Sequence, residues 1–543
     1  MNNLPDQRYA IEDKLGKSND DRQGISLNAN LAKDYNNHGI LKYNQSNDFK
    51  GALADYDRAI QLNSDYAYAY YNRGNLKSHQ LNDAPGALAD YDRAIQIDPN
   101  YVNAYINRGV LKSNQFNDPE GALADYDRAI QIDPNYANAY TNRGALKSNQ
   151  FNDPEGALAD YDRAIQLNPN YANAYYNRGY LKFNKLSDPE GALSDYNFAI
   201  QIDFTNARSY YDRGTLKYEK FNDLEGALTD YNRAIQIDLD YANAYYSRGI
   251  LKHNKLKNSE GALADYDRVI QLSPDFANAY DNRGTLKFSE FNDYEGALAD
   301  YNRVIQLEPN YVNAYNKRGV LKCEKFDDYE GALADYDRAI QLEPNYANAY
   351  NNRGVLKCEK LNDIEGALAD YDRAIQLNPN YLDACKNRGH LKYEKLNDIE
   401  GALADYDRVL QIDPYNADVY YTRGTLKYER LNDIEGALVD YDWAIELNPN
   451  YVDARNKRGN LKSEKLNDIE GALADYDRVL QIDPQFVYAY GSRGILKYNQ
   501  LADRSGGIAD IQQAAKLSQQ QENHRLYQTA IDILAGWGVI NPN

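Results

Sequence analysis

Very little in this 543-residue chain suits it to catalysis, to a metal or to a membrane. Cysteine appears three times, as Cys323, Cys358 and Cys385, too rarely to staple a chain of this length. The first residues, MNNLPDQRYAIEDKLGKSNDDRQG, lack a basic start followed by an apolar core. Few thiols and no secretory signal point to a reducing, cytoplasmic setting. The five histidines, His38, His79, His253, His390 and His524, never fall at metal-ligand or nucleophile–base spacing. No apolar run reaches the roughly 18 residues a membrane span needs. An excess of base is missing too: the formal charge is −20, which disfavours non-specific binding to phosphate backbones or anionic lipid. These absences exclude a resident metal or cofactor, a nucleic-acid partner and membrane insertion, and they give catalysis no support.

What the chain does have is a period. The stretch GALADYDRAIQ at Gly51–Gln61 returns every 35 residues, its first glycine recurring from Gly86 and Gly121 through to Gly506. A fixed period of this size means stacked copies of one supersecondary unit, so the length does not imply several globular domains. Numbering repeat positions 1 to 35 from Ala32, fourteen copies fill residues 32–521. Residues 1–31 read as a polar, irregular arm with room for one short helix, and residues 522–543 as a capping helix and tail.

Within a copy, small and apolar residues at positions 1, 3, 4, 8 and 10 follow helical spacing, as in Ala172–Lys182. Asp at position 17 (Asp83, Asp118, Asp153, Asp363) is placed to cap a second helix. Pro119, Pro154 and Pro189 stand one residue later, where a missing N–H costs nothing. Positions 21, 22, 25, 28 and 29 carry that helix's apolar stripe, and proline at position 33 (Pro99, Pro134, Pro344) stops it. Each copy is a helix-turn-helix.

In the fourth copy Ala139, Tyr140, Gly144, Ala157, Tyr161, Ala164 and Pro169 hold positions 3, 4, 8, 21, 25, 28 and 33. This pattern resembles the signature of the tetratricopeptide repeat (TPR) family, and its style resembles arrays abundant in cyanobacteria. The unit is one residue longer than the family's usual length, with the extra residue in the turn between the helices. Positions 7 and 11, ordinarily apolar or aromatic in the family, are Arg and Lys, and the position-4 aromatic is lost at Cys385 and Arg455. The resemblance implies an all-α fold: a right-handed superhelical α-solenoid of about 14 helix-turn-helix repeats, first helices lining a concave groove, with a C-terminal capping helix. In that cap Leu526, Ile531 and Leu534 would cover the last repeat, Glu522, Arg525, Gln528 and Asp532 would face water, and Trp537 would close the end.

Two columns of charge run the length of the array. Arg holds position 7 from Arg73 to Arg493, with His38 in the first copy, and Asp holds position 24 from Asp55 to Asp510. Constant register between one base and one acid predicts interhelical ion pairs rather than an anion-binding stripe.

On the family's geometry, positions 2, 5, 6, 9, 12 and 13 line the groove. Position 6 supplies Asn37, Asn72, Asn107, Asn142, Asn177, Asn282, Asn352 and Asn387, and position 2 supplies Asn103, Asn138 and Asn173 among others. Carboxamides both donate and accept, so a row of them can hold an extended peptide backbone without reading its sequence. The position-6 row resembles the asparagine ladder in the repeat domain of the O-linked N-acetylglucosamine transferases. Tyr71, Tyr176, Tyr211 and Tyr246 at position 5 are candidate anchors beside it. Position 13 turns acidic late, at Glu324, Glu359, Glu394, Glu429 and Glu464, favouring a basic segment there. Cys323 and Cys358 share position 12 of adjacent copies, at a helix spacing too wide for a ready disulfide. The expectation is a non-catalytic scaffold that binds a peptide or protein. The alternatives are an assembly or stability factor for a larger complex, or a substrate-recognition subunit of a separate enzyme.

Overall fold

The computed structural model describes residues 21–540, and every regular element among them is helical. The chain divides into two compact units, Met1–Pro274 and Asp275–Asn543. Each carries seven helix pairs, and the second adds a terminal helix, His524–Gly536. The first helix runs Asp21–Leu41, so regular structure starts well ahead of Ala32 and takes in part of the expected arm. The remainder of that arm, residues 1–20, and the last three residues of the tail lie outside the described residues.

The turn inside each repeat is where the 35-residue period is accommodated. Position 16 adopts a left-handed conformation in every copy, from Asn47 (φ 52°) through Asn362 (φ 53°) to Ala502 (φ 56°). Asn tolerates this region better than most residues, which explains its recurrence there. The following N–H then reaches back six residues, Asp363 N donating to Lys357 O at 2.9 Å, and in several copies the last turn of the first helix widens into a π-turn such as Lys357–Leu361. Next, the position-17 carboxylate caps the second helix: Asp363 accepts from the Gly366 N–H at 3.0 Å. A Cβ on Gly366 would lie 2.1 Å from Asp363 Oδ2, so this capping geometry demands glycine at position 20. Second helices run fourteen residues, as in Ile364–Leu377, and end just before position 33.

The core is made of small clusters, each shared by two neighbouring repeats. Ala367 and Tyr371, from one second helix, pack on Leu391 of the next repeat. Ala227, Tyr231 and Leu251 repeat the arrangement in the other unit. Burying a side chain of this size contributes about 1.5–3 kcal/mol, so much of each repeat's stability belongs to its junction with a neighbour. The position-25 tyrosines are buried to the hydroxyl, and burial raises the Tyr56 and Tyr301 phenols to about 12. Their rings lie so close to position 8 that a Cβ on Gly354 would stand 2.8 Å from Tyr371 Cε1. Glycine is needed there for close approach.

Position 4 is the buried aromatic that its helical spacing suggests at Tyr105 and Tyr315, and less deeply set in most other copies. Tyr70, Tyr175 and Tyr350 are half-buried. Each ring instead carries the arginine three residues on, with Arg73 5.5 Å from the Tyr70 centroid and Arg353 5.5 Å from Tyr350. The ring lies between the ion-pair layer and the apolar cluster it borders, as Tyr70 borders Ala67, Ala94 and Ala104. At the far end, Ala530 and Leu534 pack on Ile511 and Ala515, and Trp537 stacks on Tyr498 at 3.7 Å. Glu522, Arg525, Gln528 and Asp532 are exposed.

Candidate functional site

The arginine column is tied down. In the thirteen copies with arginine at position 7, the side chain grips the position-24 carboxylate with Nε and Nη2; Arg178 reaches Asp195 at 2.9 and 2.5 Å. Lys at position 11 completes the set, as Lys182 Nζ to Asp195 at 2.9 Å. Within each unit the same arginine also reaches back across the junction: Arg178 Nη1 donates to Asp162 at 2.6 Å and Arg388 Nη1 to Asp372 at 2.6 Å, acids at position 26 of the preceding repeat. For Arg178 and Arg388 burial pulls the pKa down. The hydrogen bonds they donate to both acids, with the acids' charge, outweigh it, so the net shift is upward. These guanidiniums are structural and are not an anion site. In the first copy His38 Nδ1 stands 2.8 Å from Asp55.

The asparagine columns are partly committed as well. Position 6 of one repeat meets position 5 of the repeat before it. Asn72 Nδ2 donates to Asn36 Oδ1 at 2.9 Å, Asn352 to Asn316 at 3.0 Å, and Asn387 to Asn351 at 3.1 Å. Asn107 donates to the Tyr71 hydroxyl at 3.1 Å and to Asn75 at 2.8 Å. Asn142 turns instead to Asn138 on its own helix, at 2.7 Å. Where position 6 is not asparagine the junction finds other chemistry. The Tyr176 hydroxyl donates to Asp212 at 2.5 Å, and Lys317 Nζ reaches Asp281 at 2.8 Å. Asp212 is largely buried, and desolvation raises its pKa against the opposing pull of Tyr176 and Arg208.

Position 2 presents its amides more freely. Asn103 and Asn173 are exposed, as is Asn37 from position 6, while Asn138, Asn177 and Asn282 are half-buried. The Tyr136 hydroxyl fixes Asn103 by donating to Oδ1 at 2.6 Å, which leaves the amide N–H groups for another acceptor. The position-5 tyrosines are less available than an anchor on an open surface. Tyr176 is buried, and Tyr71, Tyr211 and Tyr246 are half-buried with rings 6.0–6.2 Å from the core tyrosines Tyr91, Tyr231 and Tyr266. A pocket of about 190 Å³, lined by Ile40, Tyr43, Asn44, Tyr56, Asn72 and Asn75, opens on this face near the N-terminal end.

Two of the late acids at position 13, Glu429 and Glu464, have partners that the column alone does not reveal. Glu429 accepts from the Tyr393 hydroxyl at 3.1 Å and pairs with Lys457 at 2.7 Å, and Glu464 accepts from Tyr428 at 2.8 Å. These bonds again join position 12 or position 6 of one repeat to position 13 of its neighbour. Among the described residues no cluster of three His, Cys, Asp or Glu is placed to hold a metal, and no helix is long and apolar enough to cross a membrane.

With paired helices, buried position-25 aromatics and a repeated capped turn in place, the chain belongs to the tetratricopeptide repeat family. The family's TPR repeat matches residues 41–78, 76–115, 117–150, 152–186, 222–255, 290–323, 327–360 and 391–430, and its Tetratricopeptide repeat description matches 347–381, together more than half of the chain. TPR arrays are protein-interaction scaffolds and are generally non-catalytic. No curated protein matches the chain. Among solved structures, YrrB, described as a TPR protein with an unusual peptide-binding site, is 26% identical over 35% of this chain and 95% of its own, with a TM-score of 0.28. MamA is 24% identical over 31% of this chain and 96% of its own, with a TM-score of 0.27. Yeast Tom70 is 18% identical over 88% of this chain and 96% of its own, with a TM-score of 0.34.

Proposed function

We propose that this protein is a non-catalytic scaffold that holds an extended segment of a partner protein along the face made by its first helices. The observation that carries this reading is the division of labour between the two amide columns. Position-2 amides such as Asn103 have Oδ1 engaged and N–H groups to offer. Position-6 amides such as Asn72 and Asn387 have Nδ2 engaged, and their Oδ1 takes no hydrogen bond among the described residues. Donors and acceptors held in fixed orientation match the alternating C=O and N–H of a peptide main chain, and bonds made in advance lower the ordering cost of binding. The segment is held by its backbone, with the half-buried tyrosines setting where side chains fit.

The bonding of Asn72 and Asn107 dictates the choice of test. Replacing them would loosen junctions as well as the surface, so the informative variant changes Asn37, Asn103 and Asn173 to alanine. These side chains are exposed, and Asn103 accepts from Tyr136 of its own repeat. Affinity capture from native lysate, compared between wild type and this triple variant, should show one partner lost while circular dichroism is unchanged. Retention of every wild-type partner by the variant refutes binding through the amide columns.

A further inference from the structure

A second surface departs from the pattern of the array at four positions together, on the second helix Ile434–Leu447 and the loop tip that precedes its repeat. Four positions depart together. Position 23 is Ala, Ser or Thr in the other copies and Val439 here. Position 27 is Arg in eleven copies and Trp443 here, position 30 is Gln in twelve and Glu446 here, and position 34 is small or polar throughout except at Tyr415. All four side chains are exposed, Tyr415 by 80%, Val439 by 53% and Trp443 by 45%. Phe198 also replaces the position-27 arginine, 5.3 Å from the Tyr175 ring, but it keeps Ser194, Gln201 and the loop-tip Asn170 around it, and in copies with arginine the contacts are polar. Arg93 bonds Gln96 at 2.8 Å and reaches Asp65, on the preceding loop tip, at 3.2 Å, with its guanidinium 6.0 Å from the Tyr70 ring. In the odd repeat Trp443 takes the guanidinium's place over Tyr420, stacked at 6.1 Å, and Tyr415 stands where the loop-tip acid or amide would be.

The change converts a cationic, self-satisfied patch into an aromatic one with an acid on its rim. Trp443 and Glu446 lie three residues apart on one helix, so they face the same side. Glu446 forms no ion pair among the described residues. An exposed indole and phenol with a branched aliphatic neighbour have the composition of an interface hot spot. The indole face and the free carboxylate both favour a cation. We infer that this patch docks a partner-protein segment presenting an apolar side chain beside arginine or lysine: the apolar group covers Val439 and Tyr415, and the cation lies between Trp443 and Glu446. The site is separate from the amide columns and does not depend on their role.

The array supplies its own control, because the residues of the other repeats are known to fit the same backbone. The variant Tyr415→Asn, Val439→Ala, Trp443→Arg, Glu446→Gln restores the common pattern and should fold as the wild type does by circular dichroism. The probe is a fluorescein-labelled peptide of alternating leucine and arginine, titrated by anisotropy at low and high salt. Wild type should bind it about tenfold more tightly than the restored variant. Glu446→Gln alone should weaken binding and flatten its salt dependence. The same peptide with glutamate for arginine should not bind. Equal affinity for wild type and restored variant would mean that the peptide only follows the overall negative charge, and it overturns the inference, as does no binding at all. A concentration-dependent dimer in sedimentation that disappears in the restored variant would assign the patch to a second copy of the chain and refute the basic partner.

Discussion

Asp440 is the best place to test whether the ion-pair layer holds the repeats together. Its side chain is fully buried and accepts from Arg423 Nε at 3.0 Å, Arg423 Nη2 at 2.6 Å and Lys427 Nζ at 2.8 Å. Alanine here leaves a guanidinium and an ammonium facing each other beside the core, each only about one-fifth exposed. Removing one partner of a buried pair costs roughly 3–5 kcal/mol, most of it the penalty of the charges left behind. Lys427 has a flexible stem and can swing outward, so the expected cost is about 3 kcal/mol. The matched control is Asp407→Ala. That acid also bonds Arg423, at 2.5 Å, but it is 53% exposed, and loss of a screened surface pair costs less than about 1 kcal/mol. A third variant replaces Asp440 by Leu and both Arg423 and Lys427 by Met. Swapping an entire buried ionic set for apolar side chains of similar volume is often neutral, so this triple variant should recover most of the loss. Urea melts give the magnitudes, because guanidinium salts would screen the charges under test. Native-state hydrogen exchange should place the loss in the repeat 417–451 and its neighbours. The reasoning fails if Asp440→Ala costs no more than Asp407→Ala, or if the triple variant is as unstable as the single one.

Three further outcomes follow from the geometry. Burial raises the folded-state pKa of Asp212, so its protonated form is favoured in the fold and its stabilising effect is lost as pH rises through that raised value; Asp212→Asn should therefore raise the melting midpoint at neutral pH, with the gain shrinking towards zero in acid, and a gain that is constant with pH would contradict the assignment. Ala502 is held at φ 56°, a region that costs a side-chain-bearing residue about 1–2 kcal/mol, so Ala502→Gly should stabilise the last repeat by up to about 1 kcal/mol in urea titrations, whereas a loss would show the turn to be unstrained. Burial raises the pKa of all three thiols, so Cys323 and Cys358 should react slowly with a thiol reagent and the fully buried Cys385 only on unfolding; rapid labelling of Cys385 in the native protein would disprove its packing.

Whatever is uniform down a column is legible in the sequence. The period, the position-17 caps, the proline stops and the pairing of Arg with Asp can all be seen because the same residue does the same work in most copies. The bonding of the candidate binding face is hidden because its chemistry changes from junction to junction. Asn36 with Asn72, Tyr176 with Asp212 and Asp281 with Lys317 are three solutions to one contact, and no single column contains both partners. The signal lies along a diagonal: each pair is 36 residues apart, and the opposite charges of Asp281 and Lys317 are its plainest instance. The left-handed turn at position 16 was readable in the asparagines that dominate it, although Lys257 and Ala502 adopt it as well, where the wide turn dictates the backbone. The half-burial of most position-4 tyrosines was not readable, since helical periodicity cannot tell a ring partly covered by a guanidinium from one covered by leucine.

The two kinds of junction contact differ in one further respect. The arginine brace needs only an Asp or Asn oxygen on the preceding repeat, as at Asp162 or Asn197, so a copy could be lost or duplicated by recombination without breaking it. The contacts between positions 5 and 6 allow such exchange only where neighbouring junctions share their chemistry, as the amide pairs Asn316–Asn352 and Asn351–Asn387 do. Excising residues 312–346 would set Asp281 against Asn352 and leave its carboxylate without the ammonium of Lys317. One set of bonds makes the copies interchangeable and the other fixes their order where the chemistry changes. A chain that has grown by duplication thereby carries, on the face of its first helices, a record of which copy must follow which.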